Sequence, residues 1–202
     1  MKPARTPGLR LVAVLVVLVM AGCGTSVQRM DTEKVKDLSG AWNDTDSRLV
    51  SEEMIEDVLS QPWLRDFTRK NRAQPALIVG GMRNLSHEHI NLNTFVADIE
   101  RAMISSKKVQ FVASPTERGS VRTERKDQDL HAAEATRNPM GQEIGADFML
   151  QGTINTIVDV SGTKQVRYYQ VDMTLVSLAD NRKVWVGQKK IKKLVKRSKL
   201  RF

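Results

Sequence analysis

Chemistry needs particular side chains close together, and this chain offers few. Its histidines are His87, His89 and His131, and its one cysteine is Cys23. His87-Glu88-His89 is the only local cluster with metal-ligand character. In a strand, positions i and i+2 share a face, so both imidazoles could meet one Zn²⁺ or Cu²⁺. No third ligand is evident and the segment reads as a surface loop, so no metal site is assigned. Phosphate-cradling loops and the nucleophile elbow are missing: there is no G-x-x-x-x-G-K-[ST], no G-x-G-x-x-G and no G-x-S-x-G. Asp127 and Asp129 lie in a highly charged stretch and read as a solvated face. The sequence therefore predicts no catalytic residue and no cofactor.

Cys23 has a different chemistry, set by what precedes it. Met1 to Arg10 carries Lys2, Arg5 and Arg10 and no acid. Ten apolar residues follow, Leu11 to Met20. A membrane-spanning helix needs roughly 20, so this core reads as the apolar region of a signal peptide. It ends in Met20-Ala21-Gly22-Cys23, which resembles the lipobox of bacterial lipoproteins. Residues 1–22 are then expected to be removed and Cys23 acylated as the new N-terminus. Gly24 rather than Asp follows, which by the sorting rule of such lipoproteins favours the outer membrane. A sole cysteine excludes a disulfide within one molecule.

The charge is uneven. Lys and Arg number 32 against 23 Asp and Glu, a net +9. Residues 189–202, KKIKKLVKRSKLRF, hold eight basic residues and no acid. Such a tail could release counterions from nucleic acid. An export signal instead places it beside anionic lipid or cell-wall polymer, so no nucleic-acid partner is expected. Ile191, Leu194 and Val195 make a partial apolar stripe, compatible with an interfacial helix or with a solvated tail.

Periodicity supplies the elements between these ends. Gly24 to Gly40 is polar and reads as a tether of about 17 residues, reaching at most roughly 60 Å. A helix is predicted over 47–60, with Asp44 or Asp46 as N-cap, and a short segment with Trp63, Leu64 and Phe67 after Pro62. Residues 75–81 read as a buried strand. A helix capped by Asn91 or Asn93 runs to Lys107, and 109–113 form a strand that Ser114-Pro115 breaks. An exposed helix is predicted over 122–137, and a short one over 140–145 after Asn138-Pro139. Strands over 147–160, 165–178 and 183–190 follow, joined by turns. The fold class is α+β: a mixed sheet of about four to five strands with helices packed against it, closing in an antiparallel meander. The organisation read from this is 1–22 signal peptide, 23–41 lipidated tether, 42–190 folded domain, 191–202 basic tail.

Several phrases resemble the LpoB family of penicillin-binding protein activators. They are the Trp42-Asn43 start, LIVGGMRN at 77–84, VQFVA at 109–113, RNPMGQEIGADFMLQGTI at 137–154 and MTLVSLADNRKVWVGQKK at 173–190. The resemblance implies a small domain similar to the N-terminal domain of TolB, without an active site. It implies a protein tethered to the outer membrane that binds a class A penicillin-binding protein and stimulates peptidoglycan synthesis. Arg and aromatic side chains commonly anchor such contacts; Arg83, Arg167 and Tyr168 are the exposed candidates. The alternative is an envelope assembly or secretion accessory that holds a wall polymer or membrane through residues 189–202.

Overall fold

A computed structural model describes residues 26–32 and 34–196. The expected signal peptide, Cys23 and residues 197–202 lie outside the described residues. The chain divides into two compact units, residues 1–35 and 36–202, and every helix and strand among the described residues belongs to the second.

Nine elements succeed one another: α1 (Asp44–Ser60), α2 (Pro62–Asn71), β1 (Ala76–Asn84), α3 (Leu92–Ser105), β2 (Gln110–Phe111), α4 (Pro115–His131), β3 (Phe148–Ser161), β4 (Lys164–Ser177) and β5 (Lys183–Lys196). They form one five-stranded mixed sheet in the order β2-β1-β3-β4-β5. β1 is parallel to both its neighbours, while β3, β4 and β5 form the expected antiparallel meander. This is the α+β class that the alternation of periods indicates.

All the helices that reach the core lie on one side of the sheet. Val50, Met54 and Val58 of α1 and Phe95, Ile99 and Met103 of α3 are buried against Leu77, Leu150, Ile154, Val171, Met173 and Leu175. Two-residue alternation on β4 makes this possible: Tyr169, Val171, Met173 and Leu175 are fully buried, while Tyr168, Gln170, Asp172 and Thr174 are not. Each large side chain buried this way contributes about 1.5–3 kcal/mol. Gly152 lets β3 lie close to β4, because a Cβ there would come within 2.6 Å of the Asp172 carbonyl oxygen. Gly187 leaves room for the Trp185 ring lying over it.

Four local expectations change. The cap of α1 is Asn43, whose side chain accepts from the Asp46 amide while Asp46 accepts from the Asn43 amide. Ser114-Pro115 does not merely end a strand. Ser114 is the N-cap of α4, Pro115 its first residue and Glu117 the return partner of a capping box, so the helix starts seven residues earlier than expected. Residues 140–145 form turns and irregular backbone rather than a helix. Finally, β5 does not stop at Lys190. Ile191, Lys193 and Val195 continue its alternation and pair with Tyr169, Arg167 and Gln165. Residues 191–196 of the expected tail are therefore strand, because period-two spacing against an existing edge competes better than a partial helical stripe.

Candidate functional site

Two features at the far end of the sheet from β2 carry the polar side chains of interest. The first is a clasp on the helix side. Glu88 lies in the loop after β1, where the Asn84 side-chain amide donates to its carbonyl at 2.7 Å. Its carboxylate accepts from the Trp42 amide at 3.0 Å, the Tyr169 hydroxyl at 2.7 Å and Arg167 Nη1 at 2.5 Å. Burial, and then the Glu88 acceptor, push the Tyr169 phenol up to about 12. Beside it, Lys193 Nζ donates to Asp46 at 2.6 Å, Asp37 at 2.7 Å and the Ala41 carbonyl at 3.2 Å, using all three ammonium protons. Burial opposes the Lys193 charge, but the two carboxylates outweigh it and raise its pKa. The Trp42 ring completes the clasp, edge-on to Tyr169 at 5.5 Å and to Phe95 at 6.4 Å.

This arrangement is cohesive rather than reactive. Each of its charged side chains meets an opposite charge, three carboxylates sharing two cations, and Arg167 Nε is buried without a hydrogen-bond partner. It also bears on two groups singled out in the sequence. His87 and His89 are exposed on either side of a Glu88 that is already engaged, and no group of three metal-binding side chains forms among the described residues. Arg167 is not an exposed anchor: its side chain is 18% exposed and holds Glu88. Residues 37–41, expected in the tether, are part of the clasp. Nothing in local sequence announces Glu88 or the Asp46–Lys193 pair, whose clasp contacts span 46 to 147 positions.

The second feature is the sheet face opposite the helices. Tyr168 donates to Gln170 at 3.2 Å, and Gln170 and Gln188 donate to Asp172 at 2.8 and 2.7 Å. Asn155 donates to Thr153 at 3.2 Å. The result is a hydrogen-bonded row along β4 that Gln188 ties to β5, with a separate pair on β3. Arg83 of β1 is in register with Thr153 and exposed at its edge. Ile157 and Leu194 flank Tyr168, 65% and 58% exposed.

β5 sorts its lysines between the two faces. Lys189 and Lys193 turn to the helix side, where Glu53 and the Asp37–Asp46 pair take their charges. Lys190, Lys192 and Lys196 are on the open face, with no carboxylate at ion-pair distance among the described residues. The face thus combines a polar row, exposed apolar side chains and unneutralised positive charge. Of the carboxylates on β3 and β4, Asp172 already accepts amides and Asp159 lies toward the far end of its strand.

A recess of about 600 Å³ lies at the other end of the sheet, walled by Trp63, Phe67 and Phe148. Its carboxylates are engaged: Asp147 accepts from the Ala76 amide, Asp66 pairs with Arg69 and Asp180 with Arg182.

Fold and surface together define a one-sided α+β sheet domain, with helices on one face and a cationic polar row on the other. The chain belongs to the LpoB family: the family model described as peptidoglycan-synthase activator LpoB matches residues 46–191. That family is one of regulators of peptidoglycan synthases. No protein of curated function matches the sequence directly. Among solved structures, the LpoB C-terminal domain from Escherichia coli is similar at 14% identity and TM-score 0.46, over 72% of this chain and 98% of that one. The LpoB C-terminal domain from Salmonella enterica is similar at 13% identity and TM-score 0.35, over 64% and 93%. Lipoprotein GNA1162 from Neisseria meningitidis is similar at 17% identity and TM-score 0.36, over 59% and 83%.

Proposed function

We propose that this protein is a noncatalytic, lipid-anchored regulator that docks on a class A penicillin-binding protein through its open sheet face. The carrying observation is that face: an ordered polar row with unpaired cations and exposed apolar side chains, in a member of an activator family. Arg83 and Tyr168 sit on it as contact residues. Arg167 acts behind it, by fixing Glu88 and the clasp. The lipobox-like run Met20-Ala21-Gly22-Cys23 and the Gly24 that follows support acylation of Cys23 and attachment to the outer membrane, facing the periplasm.

The clasp bears on reach. With residues 37–41 held against β4 and β5, the sequence between Cys23 and the clasp is Gly24 to Lys36. That is about 13 residues, or roughly 45 Å when fully extended. The start of the clasp therefore stands no farther than that from the anchoring membrane, and the domain adds its own width to the reach of the docking face.

Co-sedimentation of the lipidated protein with a purified class A synthase tests the reading. Binding is expected for the wild type and is expected to fall about tenfold for Arg83→Glu and for Tyr168→Ala. Equal binding by wild type and both variants contradicts the docking surface.

The unpaired Lys190, Lys192 and Lys196 favour a second reading, contact with anionic lipid or wall polymer. A Lys190→Gln/Lys192→Gln variant that sediments unchanged with isolated wall and with anionic vesicles removes it.

A further inference from the structure

The opposite edge of the sheet is built for a different contact. β2 is only two residues long and has β1 on one side. The Gln110 amide donates to Pro75 at 2.9 Å and the Val112 amide to Leu77 at 2.7 Å. In a parallel pair the residue between two such donors turns its own N–H and C=O away, so Phe111 presents an unpaired backbone unit at the edge.

A groove of about 310 Å³ lies at that edge, lined by Phe111, by α4 and by Ile144. α4 is 17 residues long and buries none of them. Val121, facing the groove, is 44% exposed and Ile144 62%. Most helical stability in proteins comes from packing of an apolar face, which this helix lacks. Here its tertiary ties are ionic: Arg122 forks onto Glu143 with two contacts of 2.8 Å, and Arg125 reaches it at 3.4 Å. Arg118 also lines the groove, and its Nε is buried without a hydrogen-bond partner. Three guanidinium groups thus face one carboxylate.

We propose that this edge takes an extended, acidic segment of the synthase as a sixth strand beside β2. The inference rests on the function proposed above and adds a second contact to it. The segment's backbone pairs with Phe111. Every second side chain then turns toward the α4 wall, an apolar one meeting Val121 and carboxylates on either side of it meeting Arg118 and Arg125. Packing against the segment gives α4 the buried face it lacks.

The test uses the full-length lipidated protein and a purified class A synthase, with a photo-crosslinking amino acid replacing either Val121 at the edge or Ile157 on the open face. Mass spectrometry identifies the captured synthase peptides. The expected result is capture at both positions, with position 121 trapping one segment rich in Asp and Glu. An Arg118→Gln/Arg125→Gln background is expected to lower the yield at 121 about tenfold and leave that at 157 unchanged. An Arg118→Lys/Arg125→Lys background, which keeps the charge, is expected to restore much of it. Thermal unfolding of each background checks that the fold is intact. Capture at 157 with none at 121 overturns the edge contact and leaves the proposed function standing. Undiminished capture at 121 in the Arg118→Gln/Arg125→Gln background overturns the acidic occupant. No capture at either position fails both.

Discussion

Glu88 joins three segments that are far apart in sequence, through the Trp42 amide, the Tyr169 hydroxyl and Arg167. Removing its charge while keeping its shape leaves a half-buried guanidinium unpaired. Glu88→Gln is therefore expected to lower unfolding free energy by roughly 2 kcal/mol in urea titrations. Tyr168, one position from Tyr169 but on the other face, gives the opposite pattern. Tyr168→Ala is expected to change stability by less than about 1 kcal/mol while weakening synthase binding. The clasp also sets an alkaline limit. The phenol of Tyr169 is raised from 10.0 to about 12, so the folded state favours its protonated form. That contribution is complete below about pH 10 and is lost as pH climbs toward 12. Lys193, also raised, loses its contribution in the same direction above its ordinary 10.5. Stability measured from pH 9 to 12 is expected to decline, and more shallowly in Tyr169→Phe. Little of this is legible in the sequence. Period two places Tyr169 on an inward face, but its partner Glu88 lies in a loop with no periodic signal. The same blindness makes Arg167 look like a surface anchor: a sequence does not show which charges will meet.

At the scale of elements, local signals speak clearly where apolar spacing is strong and poorly where it is absent. α1, α3 and the three long strands follow from stripes that the core demands. α4 has no stripe, and although a helix is expected in this stretch, only the cap marks where it starts. Ser114-Pro115 carries two meanings, an end for β2 and a start for α4, and Glu117 at the third helical position decides for the second. Ser114→Ala is expected to weaken that cap by about 1 kcal/mol. Because α4 buries nothing, hydrogen exchange within 115–131 should quicken while global unfolding barely moves. The composition of β5 hides its length, since a run of lysines resembles a tail. Its true signal is the sorting of those lysines by parity, with Lys189 and Lys193 paired inward. A chain truncated after Lys190 loses Ile191, Lys193 and Val195 from the sheet. It is expected to melt well below the intact protein in calorimetry. A truncation that left the melting temperature unchanged would return residues 191–196 to the status of a tail. Gly152→Val tests the β3–β4 approach and is expected to cost about 1–3 kcal/mol.

For the whole molecule, fold class is readable because helix and strand periods alternate in an order that few topologies satisfy. The division of the sheet into a covered and an open face is implicit in the same alternation. Which polar residues the open face leaves without partners is not, since that depends on register across three strands. The proposed function draws its content from that remainder: a clasp that fixes where the tether leaves the domain, and a cationic face free to meet another protein. On this reading the protein makes no peptidoglycan product itself and raises the output of a class A synthase by docking on it. The direct measurement is the initial rate of glycan polymerisation by the purified synthase, with the lipidated protein present or absent. No product is expected from the protein alone, a raised synthase rate when it is added, and loss of that rise with Arg83→Glu and Tyr168→Ala. A synthase rate that stays the same with the wild-type protein, over concentrations at which the two co-sediment, would contradict a regulator that works by docking.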